Sequence, residues 1–66
     1  MSQLPAAYVS YLEGKGEDIV DTVRPILQQS AADQLHGVHI VLLPHGMVQA
    51  HLDDKVPYGT IVEDVD

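Results

Sequence analysis

The sequence predicts an α+β fold: two N-terminal helices, the second kinked or broken at Pro25, packed on one face of a small antiparallel three-stranded meander. Three observations predict it. Apolar residues recur at spacings of three and four up to Leu35, the pattern switches period after Gly37, and a Pro-His-Gly turn divides the following stretch in two. The chain of 66 residues reads as a single domain, with residues 1–36 as a helical half, 37–63 as a sheet half and 64–66 as a frayed acidic tail.

Ser2 or Gln3 ahead of Pro5 suits a helix start, since proline at the first helical position gives up a donor that is unpaired there anyway. Helix is then expected over Ala6–Glu13, with Tyr8, Val9, Leu12 and Tyr11 on its apolar side, ending at the breaker Gly14-Lys15-Gly16. A second helix is expected from about residue 17 to 36. Glu17 and Asp18 suit the positive end of its dipole, and Ile19, Val20, Val23, Ile26 and Leu27 form one apolar face. Pro25 removes a backbone hydrogen bond inside this pattern. Leu27, Ala31 and Leu35 continue the stripe, and Gly37 is placed to cap it.

The sheet half begins as a hairpin. A three-residue loop, Pro44-His45-Gly46, pairs Leu43 with Met47 and, counting outward, His39 with His51. One face then carries Val38, Ile40, Leu42, Val48, Ala50 and Leu52, all apolar. The opposite face carries His39, Val41, Leu43, Met47, Gln49 and His51. A two-residue loop would shift the register by one and mix both faces, so the first register is the consistent one. Asp53-Asp54-Lys55 reads as a polar turn and Val56–Glu63 as a third, edge-type strand, where Pro57 is tolerated.

Composition narrows the function classes. Ten acidic residues face three basic ones, Lys15, Arg24 and Lys55, for a formal net charge of -7. Binding to phosphates or to anionic lipid draws on clustered Lys and Arg, so neither direct nucleic-acid binding nor membrane docking is expected. With no cysteine there is neither a disulfide nor a thiolate metal site. No apolar run approaches the ~20 residues of a membrane span and no leader pattern is visible, which makes the cytoplasm the expected compartment. No serine or threonine sits in a nucleophile-elbow context, and Gly14-Lys15-Gly16 is too short for a phosphate cradle. The expectation is a protein that is not an enzyme and uses no cofactor.

Two constellations stand out. His39 and His51 face each other across the hairpin, and Asp53 follows on the same side, so two imidazoles and a carboxylate are candidates for holding Zn²⁺. Their spacing matches no established zinc signature, and the expectation is half-exposed histidines without bound metal. Val41, Leu43 and Met47 form an apolar strip on the same face. Together with Tyr58 near the Pro57 edge and the acidic pair Asp53 and Asp54, they are the candidate interface residues. Either the first helix folds over the strip or a partner covers it.

The segments Val38-His39-Ile40-Val41, Gly46 and Val56-Pro57-Tyr58-Gly59-Thr60-Ile61-Val62-Glu63 resemble the sheet half of paratox, a kind of small acidic prophage protein. The resemblance spans under half of the chain and leaves the paired helices outside it. It implies a phage or mobile-element protein that occludes the DNA-binding region of a transcription factor.

The reading reached from the sequence is a small acidic protein-binding module, a regulator or inhibitor of a larger protein, with a basic or nucleic-acid-binding protein among the candidate partners. The alternatives are a structural or assembly subunit stabilised as a homodimer, and a histidine-based metal-binding protein.

Overall fold

The computed structural model describes residues 4–65. Helix α1 spans Ala6–Glu13, α2 Glu17–Asp33, and strands β1 His36–Leu42, β2 Val48–Pro57 and β3 Ile61–Val65 follow, with a single 3₁₀ turn at Pro44–Gly46 between β1 and β2. The α+β class and the helices-first order are those expected. Ser2 and Gln3, the expected first cap, lie outside the described residues, as does Asp66. Pro5 itself is the capping residue, and its carbonyl accepts from the Tyr8 and Val9 amides.

Helix α2 runs as one element through Pro25 instead of breaking there. Pro25 and Asp21 are both exposed, so the Asp21 carbonyl that loses its donor is open to water. The helix stops earlier than its apolar stripe implies. Gln34 turns left-handed at φ 54° and donates to the Ser30 carbonyl, leaving Leu35 outside the helix and 69% exposed. Gly37 is therefore not the cap; it belongs to β1.

The core is aliphatic apart from one tyrosine. Tyr8, Val23, Leu27, Val38 and Ile40 are fully buried, with Ile19, Ile26, Leu42, Val48, Ala50, Leu52 and Ile61 packed around them. Burying these side chains is the main favourable term, at roughly 1.5–3 kcal/mol for each large aliphatic one. Tyr8 brings a hydroxyl into this core, and the hydroxyl is matched. Ser30 Oγ donates to the His36 carbonyl at 2.7 Å. Its one proton is thereby used, so the 2.7 Å contact between the two hydroxyls runs from Tyr8 to Ser30. The Gly59 amide then donates to the Tyr8 oxygen at 3.3 Å.

The hairpin register is the one the alternation predicts: Val38 opposite Leu52, His39 opposite His51, Ile40 opposite Ala50 and Leu42 opposite Val48. The Leu43 amide closes the loop on the Met47 carbonyl at 2.9 Å. Gly46 is left-handed as expected, at φ 75°, and so is His45, at φ 65°.

The third strand departs from the expectation. The sheet is mixed, in the order β2-β1-β3, and β3 pairs parallel with β1. Asp53-Asp54-Lys55 is not the reversal; β2 continues through it to Pro57. The polar residues mark an irregularity in the pairing, where Asp53 Oδ1 accepts from the Lys55 amide at 2.9 Å and the register jumps between Gly37↔Asp53 and His36↔Pro57. The reversal comes at Pro57-Tyr58-Gly59-Thr60. There the Thr60 amide donates to the Pro57 carbonyl and Gly59 supplies φ 86°, as a type II turn requires.

This turn carries the chain across the start of β1, directly against Gly37. A Cβ on Gly37 would sit 2.3 Å from the Pro57 carbonyl oxygen and 2.5 Å from that of Thr60. The tail expected to fray over residues 64–66 is instead part of β3 as far as Val65.

Gly37→Ala is expected to lower stability by about 1–3 kcal/mol or more, because two of the three obstructing atoms are backbone oxygens and the third belongs to the buried Val56. Gly14→Ala, whose Cβ would meet nothing closer than 3.6 Å, serves as the control and should be nearly neutral. Urea denaturation of the two variants beside the wild type measures the difference.

Candidate functional site

Strand alternation divides the sheet into an inner face under the helices and an outer face. Parallel pairing sets Val62 beside His39 and Asp64 beside Val41, so β3 contributes Val62 and Asp64 to the outer face. Tyr8, Leu27 and the other helical core residues all pack on the inner side with Val38 and Ile40. Helix α1 thus does not fold over the strip, and among the described residues no helix lies on the outer face.

His39, in the central strand, is the hub of that face. Its Nε2 lies 2.6 Å from Asp64 Oδ2. A separation that short means a proton is shared, and an ionised carboxylate has none to give, so Nε2–H is the donor. Its Nδ1 lies 3.6 Å from Asp53 Oδ2. The His51 ring stands edge-on to His39, with centroids 4.9 Å apart and planes at 75°. One potential ligand atom from each of His39, His51 and Asp53 lies within 4.8 Å of the other two. The three residues singled out from the sequence are therefore brought together, and Asp64 joins them from a strand that sequence reasoning placed elsewhere.

The candidate interface residues divide. Val41 and Leu43 are half-buried and Met47 is 63% exposed, all at the hairpin end of the outer face, with Val62 nearby on β3. Tyr58 is not with them; it is half-buried, edge-on to the buried Tyr8 with centroids 6.3 Å apart. Asp53 sits beside His39, whereas Asp54 is exposed in the irregular part of β2. His36 and His45 are exposed and outside the His39 cluster.

A second polar group lies on the other side of the sheet, between α1 and β3. Tyr11 donates to Glu63 Oε2 at 2.7 Å, Lys15 Nζ approaches the same oxygen at 3.3 Å, and the Lys15 ammonium lies 5.0 Å from the Tyr11 ring centre. These residues line an open cleft of about 560 Å³. Ser10 and Thr60 also line it, and no histidine does. Burial, then the Glu63 hydrogen bond and charge, raise the Tyr11 hydroxyl well above its ordinary value. The Tyr11 hydrogen bond, aided by Lys15 and opposed by partial burial, lowers the Glu63 carboxyl.

No family model, curated protein or solved structure matches the chain. The resemblance of the strand half to paratox accordingly rests on the quoted residues alone.

The Tyr11 shift has a pH signature. With its folded pKa raised, the unfolded chain releases the phenolic proton first. The stability this group contributes is therefore complete below about pH 10 and is lost as pH rises from there toward the folded value. Melting temperatures of the wild type should fall above about pH 10 more steeply than those of Tyr11→Phe. Parallel curves would show that the Tyr11–Glu63 contact does not hold α1 to β3.

Proposed function

We propose that this chain is a small non-enzymatic protein-binding module, a regulator or inhibitor that engages a larger protein through the outer sheet face. The observation that carries the reading is the makeup of that face. Val41, Leu43, Met47 and Val62 lie uncovered by either helix, beside Asp53 and Asp64, in a chain of net charge -7. Apolar side chains next to carboxylates fit a partner surface that is apolar at its centre and basic at its rim. Opposite charge speeds such an encounter and makes it salt-sensitive. A basic, nucleic-acid-binding protein has this chemistry, which is also what the resemblance to paratox implies.

A second copy of the chain is the alternative occupant, and would make the protein an assembly subunit. The open edges of β2 and β3 favour that reading, because unpaired strand edges are templates for further pairing. Like charge on the two copies opposes it.

The two readings separate on sizing and capture with the wild type, Leu43→Asp and Met47→Asp. Met47 is exposed enough for its variant to fold normally. The module reading expects a monomer that retains a basic protein at low salt, releases it at high salt, and fails to retain it in both variants. Retention unchanged in Met47→Asp removes the outer face as the binding surface. A wild-type dimer that Leu43→Asp converts to a monomer, with a lower and concentration-independent melting temperature, establishes the assembly subunit instead.

A further inference from the structure

We propose that the outer face holds a divalent transition-metal ion of the Zn²⁺ type, with His39 Nδ1, His51 and Asp53 as ligands and Asp64 as the carboxylate that orients His39. This goes beyond the protein-binding reading, does not depend on it, and departs from the expectation of no metal drawn from the sequence.

The argument starts at His39. Asp64 accepts the hydrogen bond from Nε2–H at 2.6 Å, which holds the neutral ring in its Nε2–H tautomer and leaves Nδ1 facing Asp53 Oδ2 at 3.6 Å. In a neutral imidazole of that tautomer, Nδ1 carries a lone pair, and a lone pair opposite a carboxylate is repulsive. A cation between them removes the repulsion. A carboxylate on the far nitrogen of a ligating histidine is also the usual outer support of a metal site, since it sets the ring angle and increases the donor strength of the ligating nitrogen.

Asp53 is held independently. Its Oδ1 accepts from the Lys55 amide at 2.9 Å, so Oδ2 is the oxygen left for the site. His51 comes from the directly paired position, and its ring packs edge-to-face with that of His39 with centroids 4.9 Å apart. The ligand atoms lie within 4.8 Å of one another. Tetrahedral zinc with bonds of about 2.0–2.1 Å needs them about 3.3 Å apart, so binding would draw the side chains together by up to about 1.5 Å. Two imidazoles and one carboxylate suit Zn²⁺ better than Ca²⁺ or Mg²⁺, which take oxygen ligands. The fourth position, on the solvent side, is left for water.

The proposal is tested on chelator-treated full-length protein with CoCl₂, whose visible absorption reports coordination geometry, and with ZnCl₂ in competition. The expected result is saturation at one Co²⁺ per chain with a tetrahedral or five-coordinate spectrum, displaced by Zn²⁺, and a melting temperature raised by either metal. His51→Ala, an exposed position whose loss leaves the core intact, should abolish the spectrum. Asp64→Asn should weaken binding by roughly 10–100-fold while keeping the stoichiometry. His45→Ala should change nothing. Absence of saturable Co²⁺ binding in the wild type overturns the proposal. So does equal loss in His45→Ala and His51→Ala, which would mark adventitious binding to exposed histidines. An unchanged affinity in Asp64→Asn overturns the orienting role of that carboxylate.

Discussion

The buried Tyr8 hydroxyl is the constraint on which the arrangement of elements depends. An unmatched hydroxyl in an aliphatic core costs about 1–3 kcal/mol, comparable to the gain from burying one of its large neighbours. Here it is matched by a directional run of bonds from the Gly59 amide through Tyr8 and Ser30 to the His36 carbonyl. Each link belongs to a different part of the chain: the β2–β3 turn, α1, α2 and the first residue of β1. The run therefore fixes where both helices and the chain crossing meet. It also explains a serine at full burial in the helix face that otherwise carries Val20, Val23, Leu27 and Ala31.

Gly37 is the steric counterpart of that electrostatic constraint. A glycine just past a helix reads most simply as a cap, and a polar Asp-Asp-Lys run reads most simply as a turn. Both readings fail for the same reason. The chain reverses later, at Gly59, and needs a residue without a side chain where it crosses β1. Nothing local in the sequence states which two segments will cross.

What the sequence did make legible was set by short-range chemistry. The Pro44-His45-Gly46 loop and the one wholly apolar face that it creates specify one hairpin register, and with it the facing of His39 and His51. The apolar periodicity of α2 likewise specifies its buried face. The position of β3 was not legible, because Ile61-Val62-Glu63-Asp64-Val65 has no apolar–polar alternation that would mark one neighbouring strand over the other. Asp64 was lost with it, being read as part of a solvated tail. Each face of β3 mixes apolar and acidic residues, Ile61, Glu63 and Val65 on one and Val62 and Asp64 on the other, so no period-two signal carried the strand past Glu63, and the acidic residues disguised its end as a terminus.

The strand that escaped that reading has a kinetic consequence. Since β3 pairs only with β1, and the turn before it closes over Gly37, its pairing requires β1 to be in place first. Non-local pairing of this kind comes late in folding and opens early under stress. Excursions in which β3 peels away would cut the His39–Asp64 contact on one side of the sheet and the Tyr11–Glu63 contact on the other in a single event. The two faces, with no polar group in common, would then share one clock: the opening rate of a five-residue strand.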